Sequence, residues 1–118
     1  MTQIHLNRPI DLDSNNALQI SRKIFEFFGK NDFKIEISDI NNNPILFRTN
    51  QKLKDVKISN EVANRATQID IITQEGETFS ARYQPAVTQP CFIFKDDRIE
   101  IRNHLNSRIT IFTLETEK

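Results

Sequence analysis

Glycine is nearly absent from this sequence, which contains only two, Gly29 and Gly76. Phosphate-binding loops need several glycines at fixed spacing, because backbone N–H groups reach a phosphate closely only where no side chain intervenes. Neither a P-loop nor a dinucleotide-binding fingerprint can be written with these two residues. The shortage therefore excludes the usual glycine-rich nucleotide sites.

Cysteine occurs once, at Cys91, which excludes an internal disulfide and a multi-cysteine zinc site. We interpret Cys91 as a buried thiol that behaves as a small apolar side chain. The two histidines, His5 and His104, belong to no His-x-His or Glu-x-x-His spacing, so we assign them no ligand or base role. The sequence accordingly predicts no catalytic residue, no metal and no cofactor.

An excess of charge of one sign is also lacking, since 16 Lys and Arg balance 16 Asp and Glu and are interspersed with them. No basic field attracts phosphate backbones or anionic lipid, so nucleic acid is an unlikely partner. The apolar runs are shorter than the roughly 20 residues that a bilayer span needs. The first residues also lack a secretory signal pattern. We expect a cytoplasmic protein without a membrane partner.

What the sequence does contain is one helical segment ahead of a long series of strand patterns. Residues 14–29 predict the helix, with a cap at Asp13 or Ser14 and an end at Gly29 in the left-handed conformation. Its apolar residues recur at helical spacing and form one stripe. They are Ala17, Ile20, Ile24, Phe27 and Phe28.

From Phe33 onward the apolar pattern has period two, which is typical of strands. We predict about seven strands in an antiparallel meander, with residues 3–7 as a candidate edge strand. Residues 59–66 fit a helical turn or a loop, and residues 84–90 read as a crossing loop or an exposed contact arm. The chain is thus predicted to form a single α+β domain, 1–118. Its N-terminal helix packs on a curved, mostly antiparallel sheet.

The acidic stretch 95–100 could be a metal or acid/base site, but the hairpin register favours a turn. A two-residue loop at Asp96 and Asp97 sets large apolar residues opposite each other, whereas a one-residue slip would set phenylalanines against charges. The predicted pairs are Phe92 with Ile101 and Phe94 with Ile99. We therefore interpret the two aspartates as turn residues.

Two further hairpins can be treated in the same way. A three-residue loop ending at Gly76 pairs Ile69 with Ala81 and Ile71 with Phe79. A loop of odd length, such as residues 105–107, sets Ile109 and Ile111 on the core face. The second face would then carry the apolar residues Ile93, Phe112 and Leu114.

That half-apolar second face leads to our first functional hypothesis, a non-enzymatic protein-interaction or assembly module with a protein partner, either a second copy or a different chain. Its predicted contact residues are Ile93, Arg102, Phe112 and Leu114.

Two alternatives come from other classes. One is a small-molecule carrier with a pocket between helix and sheet, lined by Phe27, Phe28, Phe79, Phe92 and Phe94. The other is a metal-dependent hydrolase that assembles carboxylates from distant strands, such as Asp39, Asp70 and Glu100.

Overall fold

One helix and nine strands are found in the part of the chain that the structure describes. The structure is a computed structural model, and it describes residues 4–103 and 108–115. In chain order the elements are β1 (Ile10–Asp11), α1 (Ala17–Phe28), β2 (Phe33–Asp39), β3 (Pro44–Gln51), β4 (Leu53–Glu61), β5 (Ala66–Thr73), β6 (Thr78–Tyr83), β7 (Cys91–Phe94), β8 (Arg98–Asn103) and β9 (Arg108–Leu114).

The strands form two antiparallel sheets. Sheet A has the order β1-β7-β8-β9-β2-β3, and sheet B has the order β4-β5-β6. The predicted α+β class, with one helix packed against antiparallel strands, is confirmed. The described residues contain nine strands in two sheets rather than about seven in one.

The helix buries the stripe that its sequence predicts. Ala17, Ile20, Ile24 and Phe28 are buried, and Phe27 is half-buried. The helix begins at Ala17 rather than at residue 14. The carboxylate of Asp13 accepts hydrogen bonds from the N–H groups of residues 15 and 16 and so holds a turn before the helix. Gly29 ends the helix with φ +51° and ψ −125°, a positive-φ conformation that favours glycine but differs in ψ from the left-handed helical conformation that was predicted.

A bend joins the two sheets. β3 ends at Gln51 and β4 begins at Leu53, and the carbonyl of the intervening Lys52 accepts a hydrogen bond from Gln74 N–H at 2.9 Å. The helix packs against β4 and β5. We call the side of sheet A that faces α1 and sheet B the inner face, and the opposite side the outer face.

Phenylalanine rings fill the core between these layers. Phe112 on β9 has no exposed surface, and its ring centroid lies 5.6 Å from that of Phe28, 6.0 Å from Phe33 and 5.8 Å from Phe79. Helix, sheet A and sheet B thus meet at one ring. Such edge-to-face pairs stabilise a fold beyond the apolar area that they bury.

Two of the predicted hairpin registers are confirmed. Phe92 pairs with Ile101 and Phe94 with Ile99, and the Lys95 N–H donates to the Arg98 carbonyl at 2.8 Å across the two-residue turn. The pairs Ile69 with Ala81 and Ile71 with Phe79 are also observed. Their loop ends at Gly76, which has φ +95°.

The register predicted between β8 and β9 is wrong. Asn103 pairs with Arg108, so an even number of residues separates the strands, and Ile99 pairs with Phe112 instead of sharing a face with Ile111. The change of parity moves every side chain of β9 to the opposite face. The predicted loop residues 105–107 lie outside the described residues.

In three further segments the structure differs from the sequence prediction or shows which alternative is adopted. Residues 4–7 form no strand, and β1 is the edge strand next to β7 in sheet A, while residue 3 lies outside the described residues. Residues 62–65 are a hairpin turn, in which Arg65 has φ +55°. The connector 84–90 contains a tight turn, across which Gln84 and Thr88 form an antiparallel bridge.

Candidate protein-interaction surfaces

The outer face of sheet A carries apolar and charged residues in regular rows. One row crosses five neighbouring strands from β7 to β3. Its members are Ile93, Glu100, Ile111, Glu36 and Phe47. Phe47 is 55% exposed, Ile111 is half-buried, and Ile93 is 8% exposed. Phe47 and Ile111 leave apolar surface uncovered by other described elements, whereas Ile93 is already buried, and this uncovered surface makes the face a candidate interaction surface.

The structure divides the four predicted contact residues between the two faces. Ile93 and Arg102 lie on the outer face. Phe112 and Leu114 lie on the inner face, where Phe112 is fully buried and Leu114 packs against the core. The expectation that these two residues lie on the second face is therefore wrong, and the parity of the β8–β9 connection is the reason.

Sequence reasoning missed Ile109, Ile111 and Phe47 as residues of the outer face. The first two were assigned to the core because their alternation continues that of β8 when the connecting loop has odd length. One signal favours the observed register: it adds Phe112 to an inner face that already contains Phe92 and Phe94. Phe47 lies on the outer face because it pairs with Glu36, whose side chain is on that face.

A cluster of charges surrounds Glu100 on the same face. Its carboxylate oxygens lie 3.1 Å from Lys95 Nζ, 3.6 Å from Arg98 Nε and 3.4 Å from Arg102 Nη2. We call these four residues the Glu100 cluster. Burial raises the pKa of Glu100, but the hydrogen bonds and positive charges of Lys95 and Arg102 outweigh burial and hold the pKa below its usual value. Three cations around one carboxylate leave the cluster with an excess of positive charge.

The five phenylalanines of the predicted carrier pocket do not line a common cavity. Phe28, Phe92 and Phe94 are buried, and the last two stack with centroids 6.3 Å apart. Phe27 and Phe79 are half-buried and border different hollows, and Phe94 is the one other of the five that borders the hollow beside Phe27. The rings therefore fill the core rather than surround a pocket.

A cleft of about 350 Å³ opens instead beside β6, between sheet B and one row of residues on the inner face of sheet A. Its floor is one row across β8, β9, β2 and β3, formed by Ile101, Thr110, Ile37 and Leu46. Its wall consists of residues 77–80, and Asn103 and Arg108 border one end. We call this space the β6 cleft. Of the predicted pocket residues, Phe79 alone borders it.

The three carboxylates named for a hydrolase lie apart. Asp39 accepts hydrogen bonds from Asn41 and Asn43 in the turn after β2, which lowers its pKa. Asp70 bonds to Ser80 on the outside of sheet B, whereas Glu100 is on the outside of sheet A. Within residues 4–103 and 108–115, no group of three or more His, Cys, Asp and Glu side chains is arranged to hold a metal ion.

Among the described residues, neither Cys91 nor His5 belongs to a group of side chains that could hold a metal ion. Cys91 is buried, and burial raises the pKa of its thiol. His5 is exposed, and His104 lies outside the described residues.

No protein family, curated protein or solved structure matches this chain. In the described ranges, no helix is long and apolar enough to cross a membrane.

Proposed function

We propose that this protein is a non-enzymatic assembly module, and that the outer face of sheet A packs against a second copy of the chain. The observation that carries the proposal is the row Ile93, Glu100, Ile111, Glu36 and Phe47. From β7 to β3 it reads apolar, acidic, apolar, acidic, apolar. The pattern is the same from either end, and such a surface is able to match itself.

In the proposed dimer the outer faces of two copies stack on each other, and a twofold axis runs parallel to β9 between them. Rotation about this axis lays the row of one copy over the row of the other in reverse order. Ile111 then contacts Ile111 of the second copy, and Ile93 contacts Phe47 of the second copy. Sheets that pack face to face bury their facing apolar residues in a layer about 10 Å thick. The contact is isologous, so each apolar residue is used twice and the assembly closes as a dimer.

The charges on this face also support a second copy. The same half turn brings Glu36 of the second copy over the Glu100 cluster, where cations are in excess. The side chain of Glu36 is 47% exposed and has only Lys34, at 3.6 Å, as an ion-pair partner among the described residues. Opposite charges across an interface fix its register and disfavour other arrangements.

Sedimentation velocity and native mass spectrometry over a series of protein concentrations test the proposal. We expect a species of twice 13.8 kDa that dissociates on dilution. Phe47→Asp should weaken the dimer by at least about tenfold, because burial of a phenylalanine contributes about 1.5–3 kcal/mol and about 1.4 kcal/mol is a factor of ten. Phe47 is 55% exposed, so the fold itself should tolerate the change.

Val62→Asp is the matched control. It makes the same exchange of an apolar for an acidic side chain at a hairpin turn, where Val62 is 89% exposed, and it should leave the dimer unchanged. A wild-type protein that stays monomeric throughout the series, or equal behaviour of the two variants, would refute the proposal. A dimer that survives Phe47→Asp would place the interface elsewhere.

A charge exchange tests the arrangement of the two copies. Arg102→Glu and Glu36→Lys should each weaken the dimer, and the double variant should regain part of the lost affinity. Additive losses would contradict the half turn about β9.

A further inference from the structure

The β6 cleft has the position of a missing strand of sheet B. Sheet B lies over the inner face of sheet A, and Phe79 of β6 packs on Phe112 at a centroid distance of 5.8 Å. The next row of the inner face, Ile101, Thr110, Ile37 and Leu46, forms the cleft floor. A strand added beside β6 would lie about 4.8 Å farther along and would cover this row.

The free edge of β6 offers unpaired backbone groups to such a strand. The Thr73 N–H donates to the Glu77 carbonyl at 2.9 Å, which fixes the phase of the β5–β6 ladder. Backbone groups of successive residues point to opposite edges of a strand, so those of Phe79 and Ala81 face β5. Those of Thr78, Ser80 and Arg82 point away from β5. Among the described residues, no backbone group pairs with these three on that side.

Gln84 is the next residue after Arg82 whose backbone groups point away from β5, and it already has a partner on that side. Gln84 exchanges both backbone hydrogen bonds with Thr88, at 2.9 and 3.1 Å. This antiparallel bridge continues the free edge of β6 by one position. The edge therefore accepts an extended partner at Gln84 and presents three further positions for one.

The opposite edge of sheet B is protected, and β6 is not. β4 carries Lys54, Asp55 and Lys57, and charged side chains on an edge strand oppose pairing with other chains. β6 has the sequence TFSARY, whose only charge, Arg82, is bound to Glu61 at 2.8 Å. No proline interrupts β6.

We propose that β6 binds an extended segment of a partner protein by strand addition, which makes a fourth strand in sheet B. The residues of this segment alternate between apolar and polar. Those opposite Phe79 and Ala81 are apolar and lie on the cleft floor, because the side chains of these two residues point into the core. Those opposite Thr78, Ser80 and Arg82 face water and are polar.

The dimensions of the floor set the length of the segment. Four adjacent strands span three intervals of about 4.8 Å, or roughly 14 Å, which about four to five extended residues cover. At the β3 end, Arg48 neutralises Glu77 at 3.0 Å.

Selection from a phage-displayed library of random linear peptides on the intact protein tests the proposal. We expect enriched peptides to alternate apolar and polar residues, and to slow hydrogen exchange at the amides of Thr78, Ser80 and Arg82. Synthetic copies should lose binding when their own alternate backbone N–H groups are methylated, because strand addition depends on main-chain hydrogen bonds.

Ser80→Pro removes one outward N–H group and leaves the ladder to β5 intact, and proline is tolerated at such edge positions. It should weaken peptide binding by at least about tenfold, since its ring blocks the incoming backbone. Ser80→Ala loses the same hydroxyl but keeps the N–H, and should bind as the wild type does. Thr110→Phe fills the cleft from its floor without a change in β6 and should also weaken binding.

Three results would overturn the proposal. The first is a selection that enriches no peptide. The second is a set of peptides that bind Ser80→Pro and Thr110→Phe as tightly as the wild type. The third is a bound small molecule, detected by native mass spectrometry as a mass lost on denaturation, that occupies the cleft in place of a peptide.

Discussion

The substitution Phe112→Ala tests the central packing of the fold. The ring has no exposed surface and contacts the rings of Phe28, Phe33 and Phe79. Removal of a fully buried phenylalanine costs about 3–5 kcal/mol, through lost burial and the cavity left behind. A single domain has about 5–15 kcal/mol of stability, so this loss is a large part of the whole.

The neighbouring substitution Ile111→Ala is the comparison that gives the test its power. Ile111 is half-buried and lies on the outer face, so its truncation should lower the free energy of unfolding by less than about 2 kcal/mol. The opposite parity of the β8–β9 connection would bury Ile111 and expose Phe112. The order of the two losses thus reports which face of β9 is in the core.

Urea unfolding followed by far-ultraviolet circular dichroism measures both losses. The experiment should be done at two protein concentrations about tenfold apart, because a dimer adds stability that depends on concentration. Equal losses, or a larger loss for Ile111→Ala, would refute the register described above. Phe112→Leu, which keeps most of the apolar volume, should fall between the wild type and Phe112→Ala.

Three smaller predictions follow from single residues. Gly76→Ala should destabilise the fold by about 1 kcal/mol, because φ at Gly76 is +95°, which disfavours a Cβ; thermal unfolding measures this, and an unchanged midpoint would contradict it. The lowered pKa of Glu100 means that its stabilising contribution is present above the pKa of the unfolded chain and is lost as pH falls through the folded-state pKa. The difference in unfolding free energy between wild type and Glu100→Gln should therefore shrink between about pH 6 and about pH 3, and a difference that grows in acid would reverse the sign of this argument. Cys91, buried and with a raised pKa, should react with a thiol reagent much more slowly in the native protein than in denaturant, and equal rates would show that it is accessible.

Sequence reasoning succeeded where a single loop length sets the apolar side chains of two strands opposite each other. A two-residue loop at 96–97 and a three-residue loop ending at Gly76 do so, and the registers that follow from them are observed. It failed between Asn103 and Arg108, where both faces of the next strand are apolar. A loop of odd length and a loop of even length then each bury two large side chains of β9, so alternation alone does not choose between the two loop lengths.

No feature of the sequence predicts the division into two sheets as strongly as the hairpin registers are predicted. The bend at Lys52 contains neither glycine nor proline, and strand-like sequence continues on both sides of it. The β6 cleft depends on where sheet B lies over sheet A, which is set by contacts such as Phe79 with Phe112 between residues distant in sequence. The outer face can be predicted in part, because alternation in β7 and β8 places Ile93 and Arg102 on one face whatever the register of β9.

The two proposed surfaces share the four strands β8, β9, β2 and β3 and can still be tested separately. Along β8, Ile101 belongs to the floor of the β6 cleft, whereas its neighbours Glu100 and Arg102 belong to the outer face. Successive side chains point to opposite faces of a sheet, so a substitution at Arg102 changes the surface of one site and leaves that of the other. Arg102→Glu should thus weaken the dimer without an effect on peptide binding, and Thr110→Phe should do the reverse. If either substitution impaired both dimer formation and peptide binding, the two faces would be coupled through sheet A. A peptide bound in the β6 cleft of one copy would then influence dimer formation.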